Sequence, residues 1–194
     1  MSAPAATASL HPRPSSAEAA WAPLERCAAR VPAALVPWLA EPGLLTARVR
    51  AAAGDATRFH MLRLEAAPLP PTLRARLAVD DETALVREIE FARGSVRWIF
   101  AQSVFPDSTV ARYPWLRELG ESPLGEALRR VTEVVREPLE YAELAPDHPL
   151  ALAANPEGGA RLWARRAVYR LAGAPIVVQE VFLPALGQVG PEAP

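Results

Sequence analysis

The stretch LVREIEFARGSVRWIFAQSVF, residues 85–105, decides the fold. Two runs rich in β-branched and aromatic residues flank Arg93-Gly94-Ser95, the pattern of an antiparallel hairpin. A second hairpin repeats it near the C-terminus, where 162–171 and 176–183 meet across Ala172-Gly173-Ala174. Residues 57–65 and 131–141 read as further strands, so five or six strands joined by hairpins predict an antiparallel sheet. Helical spacing appears at Leu24, Ala28, Val31, Leu35 and Trp38, broken by Pro32 and Pro37, and again over 46–53 up to Gly54. Two short helical pieces are expected within 115–130, with Ser122 capping a helix that opens on Pro123. Residues 145–160 read as a long loop. The fold class is therefore α+β, with helices covering one face of the sheet.

Side chains on a strand alternate between faces, so each strand divides into two sets. Leu85, Arg87, Ile89 and Phe91 form the apolar set of the first strand. Val96, Trp98, Phe100, Gln102 and Val104 form that of the second, and Ile176, Val178, Glu180 and Phe182 that of the last. Arg87, Gln102 and Glu180 are thus expected on the core face. A buried unpaired charge costs several kcal/mol, so each needs a partner or a wet cavity. Two readings stay open: an internal Arg87–Glu180 salt bridge with Gln102 beside it, or a closed polar cavity in which Arg87 takes a carboxylate and Glu180 a polar group opposite.

Composition narrows the chemistry. The 194 residues carry 21 basic and 22 acidic side chains, and all the basic ones are arginine. Without lysine there is no Schiff-base chemistry and no Walker A loop. A net charge of −1 argues against a nucleic-acid partner. Cys27, the single cysteine, sits on an apolar helical stripe and reads as inert packing. His11, His60 and His148 are scattered, so no metal site is expected, and neither a nucleophile elbow nor a dinucleotide fingerprint is present. The series Arg161, Arg165, Arg166 and Arg170 reads either as a solvated strand edge or as a basic strip near an anionic ligand. Residues 1–18, rich in Ala, Pro and Ser, are expected to be a disordered tail without a secretory signal's apolar run. One domain is expected over 19–186, with a flexible tail over 187–194. No run is apolar enough for a membrane span, and the cytoplasm is the expected location.

Three segments together resemble the chorismate pyruvate-lyase family, bacterial enzymes that make 4-hydroxybenzoate for ubiquinone. They are VREIEFARGSVRWIFAQSVFP (86–106), LGESPLGEAL (119–128) and RLWARRAVYRLAGAPIVVQEVFLP (161–184), with a weaker match in LLTARV (44–49). The resemblance implies a six-stranded antiparallel sheet with helical flaps closing over a buried site. It implies no cofactor, chorismate as the small-molecule partner and a monomeric chain. It assigns Arg87 to the ring carboxylate, Glu180 to the 4-hydroxyl and Leu124 to a backbone contact with the carboxylate. Leu45 falls where the family often has a ligand-contacting Met. Where the family commonly has Arg followed by Ser or Thr, this chain has Gln102. Chorismate carries two carboxylates, so Arg97, Arg165 and Arg166 become candidates for its pyruvyl arm. The implied activity is cleavage of the enolpyruvyl ether of chorismate to 4-hydroxybenzoate and pyruvate. The alternative is an effector-binding module like the UTRA sensors of GntR-type regulators, which normally follow a winged helix-turn-helix. Here the sheet begins near residue 57 behind a Pro-rich segment, which leaves too little chain for one. A purely structural domain would give the inward charges no role.

Overall fold

The computed structural model describes residues 19–189; the expected N-terminal tail and residues 190–194 lie outside them. The chain opens with broken helical turns, α1 (Leu24–Cys27) and α2 (Val36–Leu39), then α3 (Leu45–Ala53), which ends at Gly54. β1 (Thr57–Pro68) leads through α4 (Pro71–Leu77) into the hairpin β2 (Thr83–Arg93) and β3 (Val96–Pro106). Next come α5 (Asp107–Arg112), α6 (Leu124–Leu128), β4 (Val134–Arg136), β5 (Glu140–Leu144) and α7 (Pro149–Ala154). The hairpin β6 (Leu162–Leu171) and β7 (Ala174–Phe182) follows, and a short helical turn, Pro184–Gln188, ends the described chain. That turn buries Leu186, the last residue of the expected domain.

The sheet is wholly antiparallel, in the order β1-β2-β3-β7-β6-β4, with β5 also on β6. Seven strands thus fill six positions, because β4 and β5 share one edge of β6. The single strand expected over 131–141 is broken around Pro138, which has no N–H to give a ladder. Its partner β6 is interior, so the arginine strip is no solvated edge: Arg165 is only 3% exposed.

Helices pack on both faces, so the cover extends beyond the single face expected. On one side α2 and α3 bury Trp38, Leu39, Leu45 and Val49 against Ile89, Phe91 and Ile99. Leu124 and Leu128 of α6 bury against Leu85 and Phe105 on that same side. On the other, Leu73 and Leu77 of α4 cover Val86, Val104, Val168 and Val177, while α7 covers Phe100 and Val181. Pro71 and Pro149 each stand in a first helical turn, where a missing N–H costs nothing. The segment read as a long loop over 145–160 therefore holds a helix, α7.

One irregularity decides the site. The β2–β3 register runs Phe91↔Ile99 and then Ala92↔Arg97, so Trp98 is an extra residue, a β-bulge. Trp98 and Ile99 both join the cluster that holds Trp38. Beyond the bulge Ala101, Ser103 and Phe105 share the Arg87 face, and Phe100, Gln102 and Val104 take the other. Gln102 is therefore not on the face expected.

Candidate active site

Arg87 stands in the middle of β2 and is 1% exposed, among the largest side chains so buried. Its Nε and Nη2 donate to the Gly120 carbonyl (3.1 and 2.8 Å), and Nη2 also to the Ser122 carbonyl (2.8 Å). Both acceptors are neutral, and no carboxylate among the described residues pairs with this guanidinium. Burial pulls its pKa down to about 10, still far above neutrality, so the group remains a cation. Ser122 contributes that carbonyl and not the expected hydroxyl cap; Pro123 holds the cap position of α6.

Glu180 lies across the sheet, in register with Ala101, which pairs in turn with Ile89. It is two strands and two residues away from Arg87, roughly 12 Å between Cα atoms from ordinary strand spacings. Its partner is Arg165, not Arg87: Arg165 Nε meets Glu180 Oε2 at 2.5 Å. The internal Arg87–Glu180 bridge is thus absent. Arg165 Nη1 donates to the carbonyls of Trp38, Leu39 and Glu41 (3.4, 3.3 and 2.8 Å). The same guanidinium ties the acid to the chain leading into α3.

A small cavity of about 50 Å³ lies between these groups. Its floor is Arg87, Ile89, Ala101, Ser103, Val178, Glu180, Arg165 and Tyr169, and its roof Gly43–Thr46 and Pro123–Gly125. The two roof segments touch: a Cβ added at Gly125 would run into the Leu44 side chain. Arg50 of α3 and Glu126 of α6 form an ion pair across them. Glu41 anchors the first segment, accepting from Gly43 N (2.8 Å) and Arg48 Nη1 (3.2 Å). Burial, reinforced by the Glu180 charge, pushes the Tyr169 hydroxyl pKa up, so it stays protonated and able to donate.

Of the residues singled out from sequence, Arg87, Glu180, Leu124, Leu45 and Arg165, one of the three candidates for the pyruvyl arm, line this one cavity. Gln102 does not. It lies on the opposite face, donating to Glu88 Oε1 (2.9 Å) and accepting from Gln179 Nε2 (3.0 Å). Sequence reasoning missed Ser103, Thr46 and Tyr169, and it named Arg165 only as one of three candidates for the pyruvyl arm.

The sequence model of the family described as Chorismate lyase matches residues 16–189. The chain belongs to the chorismate lyase family. It is 39% identical over 162 residues to the "Probable chorismate pyruvate-lyase" of Thiobacillus denitrificans, covering 81% of this chain and 86% of that one. It is 32% identical over 152 residues to the protein of the same name from Coxiella burnetii, covering 77% and 82%. Among solved structures, the effector domain of PhnF from Mycobacterium smegmatis aligns at TM-score 0.48 and 17% identity, over 71% of this chain and 88% of that one. The ligand-binding domain of a GntR-family regulator from Bordetella bronchiseptica aligns at 0.46 and 12%, over 66% and 84%. Neither likeness bears on what this chorismate lyase family member binds.

Proposed function

We propose that this chain is a chorismate pyruvate-lyase, which eliminates pyruvate from chorismate and leaves 4-hydroxybenzoate, the ring precursor of ubiquinone. The observation that carries the reading is Arg87, a fully buried cation that pairs with no described carboxylate, on the floor of a small cavity. A desolvated guanidinium with only carbonyl partners favours an incoming carboxylate, and its planar fork suits bidentate capture. The ring carboxylate would sit at Arg87 beneath the first-turn amides of Leu124 and Gly125, which have no intrahelical acceptor. The 4-hydroxyl would then reach Glu180, with the Leu45 side chain against the ring.

In the reaction the C3–oxygen bond of the ether breaks and the proton on C4 is lost, so the ring becomes aromatic. The released three-carbon enol gains a proton on its methylene carbon to become pyruvate. Aromatisation drives the step, so the chain's task is to bind, orient and exclude water. The Arg165 guanidinium beside Glu180 holds that carboxylate in place, ready to accept a hydrogen bond from the 4-hydroxyl. The cavity, room for only a few waters, is too small for a ring. Gly43–Thr46 and Pro123–Gly125 therefore part to admit substrate and close again, and product release depends on the same opening. The chain would act there as a monomer, and a lone buried Cys27 suits the reducing cytoplasm.

The test is direct. Purified protein mixed with chorismate should generate 4-hydroxybenzoate, followed by absorbance, with pyruvate in equal amount. No product at saturating chorismate would refute the proposal.

A further inference from the structure

Resting on the lyase reading, we infer that the Nη2 edge of Arg165 is the subsite for the second carboxylate of the substrate, the one on its three-carbon arm. Three observations lead there. Arg165 lines the small cavity while only 3% exposed. Its Nε and Nη1 are committed to Glu180 and to the carbonyls of residues 38, 39 and 41. Its Nη2 donates to no described residue, yet it is not among the sealed-off atoms that lack a partner. On a side chain so buried, the only space left for Nη2 is the cavity itself.

Charge points the same way. The floor carries two cations, Arg87 and Arg165, and one anion, Glu180, a surplus of one positive charge against a dianionic substrate. With the ring carboxylate on Arg87 and the 4-hydroxyl at Glu180, the ether on the neighbouring ring carbon lies beside the Arg165–Glu180 pair. An arm carboxylate placed there without a donor would face the Glu180 carboxylate alone. Arg165 Nη2 supplies that donor, and the Nε bond to Glu180 fixes its direction.

The other two arginines are placed elsewhere. Arg97 pairs with Glu90 and donates to the Ala154 carbonyl, and its side chain is 36% exposed. Arg166 is on the opposite face, with Nε on Glu140 (2.9 Å) and its guanidinium 4.4 Å over the Trp21 ring. Arg165 also holds the carbonyl of Glu41, two residues ahead of the roof segment, so the arm and that segment share one side chain.

The experiment uses two aromatic probes that cannot eliminate: 3-(1-carboxyvinyloxy)-4-hydroxybenzoate, and its counterpart with methyl in place of the arm carboxylate. Wild-type protein should bind the diacid about tenfold to a hundredfold more tightly, the worth of one charge-assisted contact. Arg165→Gln should remove this preference, and Arg165→Lys, a point charge, should restore part of it. A purely structural role for Arg165 would weaken both probes equally and leave their ratio unchanged; that result overturns the subsite. Should neither variant fold, a crystal structure of the wild type with the diacid decides. The arm carboxylate within hydrogen-bond reach of Arg165 Nη2 supports the inference, and any other location rejects it. Chorismate turnover by the wild type, measured first, separates the two claims: no turnover defeats the lyase reading, while turnover with an unaltered ratio defeats the subsite alone.

Discussion

The two faces of the sheet are built from the same strands and solve opposite problems. Consecutive residues divide between them: Arg87 and Glu88, Ser103 and Gln102, Glu180 and Gln179, Arg165 and Arg166. On the α4/α7 face the polar groups satisfy one another. Gln179 donates to Gln102 and Gln102 to Glu88, while Arg166 pairs with Glu140. The space beside them is large, about 560 Å³, lined by Trp21, Arg63 and His148 among others. On the α3/α6 face the space is about 50 Å³, yet no described carboxylate pairs with Arg87 and no described residue accepts from Arg165 Nη2. Size does not mark the site. An uncompensated charge beneath the two roof segments does, because burying it is a cost that only a ligand can offset.

Substitution on the small-cavity face should test this most severely. Glu180→Gln keeps a hydrogen bond but loses the charge, so turnover should fall by about tenfold to a thousandfold, the range for a positioned electrostatic or acid–base group. It also strands the Arg165 guanidinium, and removing one partner of a buried pair costs about 3–5 kcal/mol, to be read in a denaturant melt. Activity per folded molecule that matches wild type would break the contrast between the faces.

Arg87→Ala should act differently. Affinity for 4-hydroxybenzoate, measured by calorimetry, should drop by about tenfold to a hundredfold through the lost charge-assisted bonds. Stability should fall less than in Glu180→Gln, since no opposite charge is left behind. In the wild type, 4-hydroxybenzoate at a hundred times its Kd should raise stability by about 2.7 kcal/mol. A product that binds without stabilising the fold, or an Ala variant that binds it unchanged, would remove Arg87 from the site.

These contrasts were only partly legible in the sequence. Arg87 and Glu180 stood out because each interrupts a strand set that is otherwise apolar, and the two hairpins fell where their Gly turns lay. Arg165 was hidden because both sets of 162–171 mix apolar residues with arginine: Trp163, Arg165, Ala167 and Tyr169 against Leu162, Ala164, Arg166 and Val168. Alternation carries no signal where both faces are buried. The bulge at Trp98 was invisible for the same reason. An extra residue inside Trp-Ile-Phe leaves the run apolar throughout, yet it moves Gln102 to the other side. The helices α4 and α7 were lost in Pro-rich segments, although Pro71 and Pro149 are themselves first-turn signals.

Gln102→Met sharpens the comparison from the other side. It removes the hydrogen bond to Glu88 and the acceptor of Gln179, so it should cost about 1–3 kcal/mol of stability. Activity per folded molecule should match wild type, because its side chain points away from the cavity. A selective rise in KM for chorismate would place Gln102 back in recognition and contradict the face assignment.

The smallest effect concerns His148, on the open face. Its Nδ1 accepts the Leu150 N–H at 3.1 Å and so caps α7, which requires the neutral ring. Burial lowers its pKa below the usual 6.5, with Asp147 opposing. The sign follows from proton counting: as pH falls through 6.5 the unfolded chain takes up a proton that the folded chain resists. This contribution is therefore complete above 6.5, is lost progressively on acidification and levels off below the folded pKa. His148→Asn keeps a good capping side chain and removes the titration. The two proteins should have similar melting temperatures at pH 8, and the variant should gain on the wild type at pH 5.5. Activity per folded molecule should stay equal at both, since α7 lies across the sheet from Arg87 and Glu180. An identical pH profile of melting in the two proteins would reject the capping role, and a variant that lost turnover would show the two faces to be coupled rather than separate.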